Sequence, residues 1–326
     1  IMKVEKCKWL KESYDSINLK TLPHGIIING PLGIGKSILA KKIASDILLS
    51  QSSDKNISDH ANLIESSNHP DLYILDKDKV LINDVSRRAG NWDDEKGNRD
   101  IITFLSLTPS ISKNKVVLIH NADSMNEAAQ NALLKTLEEP ASFSYIIMTS
   151  NRPKVFKETI YSRCQVISIK NTTMDETNNW LKDIGISDYT AMDFPSFATP
   201  FNILEDIRNN DQNKFKDFLE VINNFINNKV DQTQSIKLVN DLDIKLVEKI
   251  NYLVEFLKII LKSKITANEL SGSYKLFNDA QFNKLKISNV INDLNQLRYD
   301  FYKVSSINES HVLNYIFSEL KQSIRL

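Results

Sequence analysis

Gly25-Ile26-Ile27-Ile28-Asn29-Gly30-Pro31-Leu32-Gly33-Ile34-Gly35-Lys36-Ser37 joins a short apolar run to the pattern Gly-x-x-x-x-Gly-Lys-Ser. The run predicts a buried strand. From Ser37 to Leu49 the apolar residues Ile38, Leu39, Ile43, Ala44, Ile47 and Leu48 recur at helical spacing. Strand, glycine-rich loop and helix in that order are the parts of a phosphate-binding loop. Glycines let successive backbone N–H groups turn inward around an anion, and the helix that follows points its positive end at the same place. In such a loop Gly30, Gly33 and Gly35 shape the cradle, Lys36 reaches the outer phosphates and Ser37 holds Mg²⁺.

Working outward, further strands are expected at Leu72 to Leu75, Val116 to Ile119, Tyr145 to Met148 and Gln165 to Ile169. A helix from Met125 to Glu138 is stopped by Pro140. Strands that alternate with helices predict an α/β domain with a parallel sheet covered on both faces. After Lys170 the strand signals cease. Short helical patterns broken near Gly185, Pro195 and Pro200 give way, from about 211, to long amphipathic stretches such as Leu246 to Leu261 and Val290 to Tyr302. Three parts are expected: 1–170, 171–210 and 211–326. No internal period indicates a solenoid.

The bulk numbers exclude several classes. With 326 residues, 41% hydrophobic, 25% charged and a formal net charge of +0, the chain reads as an ordinary globular protein and not as a polyanion coat. No apolar run is long enough to span a membrane. Met2 to Trp9 lacks the apolar core of a secretion signal. The two cysteines, Cys7 and Cys164, lie far apart and suit a reducing, cytoplasmic setting better than a disulfide.

One feature contradicts a working hydrolase. There, a strand ends in an acid that helps hold Mg²⁺, followed by an acid that polarises the attacking water. Here Val116-Val117-Leu118-Ile119 runs into His120-Asn121. Imidazole is a poor ligand for Mg²⁺, and a neutral amide cannot accept a proton from water. Asp123 comes too late in the chain to stand in and is expected to point elsewhere.

Asn131-Ala132-Leu133-Leu134-Lys135-Thr136-Leu137-Glu138-Glu139-Pro140 closely resembles the helix signature of clamp-loader subunits of the AAA+ class. Ser162-Arg163-Cys164 resembles their arginine-finger motif, and Asn68-His69-Pro70-Asp71-Leu72-Tyr73 resembles the same place in bacterial loaders. The likeness is dense over roughly 20–170. It implies a RecA-like AAA+ P-loop domain, a small helical lid and a C-terminal helical collar. The family's motor (gamma/tau) subunits keep the acidic pair, so this chain resembles a member that has lost turnover. It would bind ATP at Gly30, Gly33, Gly35, Lys36 and Ser37 without cutting it. Arg163, with Ser162, would act as a finger in the site of a neighbouring gamma/tau motor. The implied partners are gamma/tau and delta subunits and, through the assembly, the sliding clamp and primed DNA of a DNA-directed DNA polymerase. Thr149, Ser150 and Asn151 occupy the place of a nucleotide-sensing residue, while Asn202 stands where a second sensor arginine is usual. The family's four-cysteine zinc module has no counterpart in Gln51 to Asn68, so no zinc is expected, and His60 and His69 are expected to face solvent. Cys164 is expected to be a small buried hydrophobe. The rival reading is an active gamma/tau-type ATPase with acids elsewhere. A small-molecule kinase fits the loop but not the signatures.

Overall fold

The computed structural model describes residues 3–50, 57–86, 100–270, 272–301 and 308–323. The chain divides into two compact units, Ile1–Glu176 with Thr199–Phe201, and Thr177–Ala198 with Asn202–Leu326.

The first unit is built on five strands: β1 (Gly25–Asn29), β2 (Leu72–Asp76), β3 (Lys115–His120), β4 (Ser144–Ser150) and β5 (Cys164–Ser168). They form one sheet in the order β2-β3-β4-β1-β5, and every pairing is parallel. The helices are α1 (Lys8–Asp15), α2 (Lys36–Leu49), α3 (Ile57–Glu65), α4 (Ile82–Val85), α5 (Ile101–Ser106), α6 (Glu127–Glu138) and α7 (Glu158–Tyr161). Alternate strand residues point to opposite faces. Ile27, Val117, Ile119, Ile146 and Met148 pack in one cluster with Phe104 of α5, Leu133 of α6 and Ile160 of α7. The intervening Ile26, Ile28, Val116, Leu118 and Ile147, all buried, belong to the face crossed by α2. Burial on both faces is why these strands read as unbroken apolar runs. The α6 helix begins where the Asn126 side chain accepts the Ala129 N–H at 2.8 Å and ends just before Pro140.

His60 and His69, expected in solvent, are buried, at 6% and 2% exposure. His69 Nδ1 accepts the Asp71 N–H at 3.1 Å, and His69 Nε2 lies 3.4 Å from His60 Nδ1. The stretch around His69 is a buried polar knot. Its anchor is Asp71, fully buried, whose carboxylate accepts the N–H groups of Ser110, Ile111 and Ser112 and the Ser112 hydroxyl. Burial pushes the Asp71 pKa up, but these four bonds more than reverse it and hold the acid below the usual carboxylate range. A depressed folded pKa gives stability that is present above the unfolded value and lost as pH falls through the folded one. Asp71→Ala is therefore expected to cost about 3 kcal/mol at neutral pH, because several buried donors lose their acceptor. Denaturant titrations at neutral pH and near pH 3 check this: the gap between wild type and variant should narrow in acid.

In the second unit, the helices Lys214–Ile226, Gln232–Asp241, Leu246–Thr266, Lys284–Phe301 and Glu309–Ser323 enclose one apolar core. Phe225 meets Phe317 edge-on with centroids 4.9 Å apart, and Phe256 meets Phe277 at 4.6 Å. Lys249 is buried in this unit and is satisfied by Asn240 Oδ1 and Glu309 Oε1, each 2.8 Å from Nζ. Among the described residues no helix is long and apolar enough to cross a membrane.

Candidate functional site

The sheet order brings the loop after β1 beside the ends of β3 and β4, at the carboxyl edge of the sheet where ligands of open parallel sheets bind. The loop's glycines are required there. A Cβ on Gly35, whose φ is +100°, would sit 2.8 Å from Leu10 Cδ1 and 2.8 Å from Phe201 Cε2. Gly33 also has positive φ, and a Cβ on Gly30 would fall 3.0 Å from the Ile34 side chain.

The loop's outer wall is pinned. Thr199 Oγ1 donates to Leu32 O at 2.8 Å, the Phe201 N–H to Gly33 O at 3.1 Å and Trp9 Nε1 to Ile34 O at 2.8 Å. Three successive carbonyls are thereby tied to residues outside the loop, while the Ile34 N–H donates within it to Pro31 O at 3.3 Å. No side chain caps α2, so its first-turn N–H groups open on the same concavity. Lys36 is 7% exposed, and its Nζ donates to Gly30 O at 2.9 Å and Pro31 O at 2.7 Å. Burial lowers its pKa to about 8, with Asp123 opposing. A groove of about 440 Å³ opens beside Ser37, walled by Val4, Ile38 and Ile64 and edged by Lys41 and Lys42.

At the end of β3, His120 is buried, with Nδ1 3.4 Å from Ser37 Oγ. Burial lowers its pKa, Asp76 opposes that, and Lys41 adds to it. Asn121 takes positive φ; its N–H donates to Thr149 Oγ1 at 3.2 Å, and its Oδ1 accepts from Asn151 Nδ2 at 3.3 Å. Ser150 Oγ donates instead to Arg152 O. Asp123 Oδ2 accepts from Arg152 Nε at 3.1 Å. Phosphate loops of this pattern ordinarily hold Mg²⁺ through the hydroxyl and a strand-end acid. An imidazole against the hydroxyl, followed by an amide already engaged, does not fit a hard, oxygen-bound cation.

Arg163 lies at the other edge of the sheet. It immediately precedes β5, where Cys164 pairs with Gly25, the first residue of β1. Five residues of β1 separate that edge from the loop, about 16 Å at strand spacing and more than an arginine side chain can span. The Arg163 side chain is 34% exposed; its Nη2 is 2.9 Å from Glu138 Oε1, and its Nη1 donates to Thr159 O at 2.9 Å and Ser162 Oγ at 3.2 Å. Cys164 is half-buried, and burial raises its thiol pKa to about 12, so it is no nucleophile.

The structure gathers Gly30, Gly33, Gly35, Lys36 and Ser37 between β1 and the start of α2, and adds residues not singled out from the sequence: Trp9, Thr199 and Phe201, which bond to that loop, and Glu138, which pairs with Arg163. The Leu137-Glu138-Glu139-Pro140 run was the available signal for the last.

Fold and site together define a phosphate-loop α/β protein with its cradle intact and its strand-end acids replaced. The family profile described as "DNA polymerase III, delta subunit" matches residues 5–173, and the chain belongs to this family. It is similar to the DNA polymerase III subunit delta' of Haemophilus influenzae, 25% identical over 298 residues, 87% of this chain and 86% of that protein. Against the delta' subunit of Pseudomonas aeruginosa it is 30% identical over 148 residues, 43% of this chain and 41% of that protein. A gamma/tau subunit from Mycoplasma genitalium is 25% identical over 305 residues, 92% of this chain and 46% of that protein.

Proposed function

We propose that this chain is a delta-prime-type subunit of a DNA polymerase III clamp loader that does not hydrolyse ATP itself and lends Arg163 to a neighbouring gamma/tau ATPase. The observation that carries this reading is the separation of the two features. The cradle at one sheet edge has His120 and Asn121 where acids are needed, and Arg163 stands at the opposite edge, out of reach of that cradle. A guanidinium is the group best suited to an anion on another subunit, because its fork of donors matches phosphoryl oxygens. Ser162, whose hydroxyl accepts from Arg163, positions it.

In the assembly, delta would be the other neighbour, the 171–210 segment would serve as lid and 211–326 as collar, and the whole would open a sliding clamp onto primed DNA in the cytoplasm. Gly30, Gly33, Gly35, Lys36 and Ser37 would hold a nucleotide without turnover. No zinc is expected in this account, and metal analysis of the purified chain should find none at stoichiometric level.

Reconstitution tests the reading: the purified chain should co-assemble with gamma/tau and delta, and failure to do so would contradict it. Lys36→Ala in that assembly should leave clamp loading within about twofold of wild type, since binding here drives no chemistry. A clamp-loading rate more than about tenfold lower would favour the gamma/tau-type reading.

A further inference from the structure

We infer that the phosphate loop takes a nucleoside di- or triphosphate as the free anion, without magnesium. This rests on the reading that the loop binds nucleotide, and concerns how it does so.

A magnesium ion at such a loop needs the Ser37 hydroxyl and a carboxylate oxygen converging on one point beside the phosphates. Here the residue at the carboxylate's place is His120, and it abuts the hydroxyl itself, with Nδ1 3.4 Å from Ser37 Oγ. That is long for a hydrogen bond, and it puts a nitrogen donor, poorly suited to a hard cation, where a carboxylate oxygen would converge with the hydroxyl. His120 cannot easily withdraw. It ends β3, with Asp76 as its register partner on β2, and it is 7% exposed.

Three nearby oxygens have partners, while Asp123 Oδ1 and Asn151 Oδ1 are buried without one. Asn121 Oδ1 accepts from Asn151 Nδ2, Thr149 Oγ1 accepts the Asn121 N–H, and Asp123 Oδ2 accepts from Arg152 Nε. Asp76 is exposed, one strand further from the loop than His120.

The anion-facing half of the site is complete without a metal. The carbonyls of Leu32, Gly33 and Ile34 are tied to residues outside the loop, no side chain caps the α2 N-terminus, and Lys36 has only to leave two carbonyls of its own loop to meet a phosphate. Lys41, one turn on, borders the groove beside Ser37 and adds a second cation. Fixed protein charge thus stands where the ion's charge would otherwise be needed.

The experiment is calorimetric titration of the full purified chain with ADP, in EDTA and in excess Mg²⁺. The expected dissociation constants agree within about twofold, or the magnesium value is the weaker because the metal competes for the free anion. Binding about tenfold or more tighter with Mg²⁺ would overturn the inference. Absence of ADP binding in both buffers would instead overturn the nucleotide reading, and the inference with it.

Two variants separate the causes. Ser37→Ala should change ADP affinity by the same factor in EDTA and in Mg²⁺, because no metal hangs on that hydroxyl; a loss about tenfold larger in Mg²⁺ than in EDTA contradicts the inference. His120→Asp should make binding about tenfold tighter with Mg²⁺ than without, by restoring the missing acid. If a folded His120→Asp protein stays indifferent to the metal, the Ser37–His120 contact does not explain the site.

Discussion

Replacing Arg163 by alanine in an otherwise intact loader is expected to slow ATP hydrolysis at the adjacent motor site by about three orders of magnitude. A finger supplied from a neighbouring subunit acts on charge that develops only as the phosphoryl group transfers, so its loss falls on turnover and spares nucleotide affinity. The steady-state rate of the whole assembly falls by less if other sites fire independently. The change should not unfold this chain. Arg163 is a third exposed, and its pair with Glu138 at 2.9 Å is a surface ion pair, worth about 0–1 kcal/mol. The same weakness means that the guanidinium can leave Glu138 for a phosphate at small cost. Arg163→Lys should not restore the rate, because an ammonium cannot present two parallel donors to neighbouring oxygens. Full activity in the lysine variant would mean that simple positive charge suffices and that the fork geometry is irrelevant.

The second large effect is expected in the isolated chain, which should release phosphate from ATP more slowly than about one turnover per minute, far below ordinary enzymes. Loss of a general base alone costs about two to four orders of magnitude. Here the metal-holding position is also gone. On the proposed reading, histidine at 120 and asparagine at 121 would leave the cradle able to bind nucleotide and unable to activate water. Asp123 lies beyond the strand end, and one of its oxygens is engaged by Arg152. Phosphate release measured with and without added gamma/tau separates the two cases. Sustained turnover by the chain alone would restore the rival reading of an active motor.

The parts that positioned the site were readable in the sequence where the controlling physics is local. The loop follows from glycine spacing, and the parallel sheet from apolar runs that need burial on both faces. The loss of acids is visible because strand β3 is an unambiguous run ending at a fixed place. What was not legible depends on contacts between distant residues. Trp9 reaches Ile34 across 25 positions and Thr199 reaches Leu32 across 167, and nothing in either neighbourhood announces the partner. His60 and His69 were misplaced for the same reason. Their burial is stabilised by Asp71, whose own partners lie 39 to 41 residues on. Polar residues in a short motif look like solvent-facing loop until their hydrogen-bond partners are known. The resting place of Arg163 on Glu138 was hidden likewise, although both residues lay within recognised motifs.

The separation of cradle and cation is tested most directly by single-turnover phosphate release from a loader in which only the motor next to this chain keeps a working phosphate loop. With the wild-type chain, a burst of one phosphate per assembly is expected, and with Arg163→Ala that burst should vanish. An undiminished burst from the alanine variant, or any burst when every motor is disabled, would contradict the account.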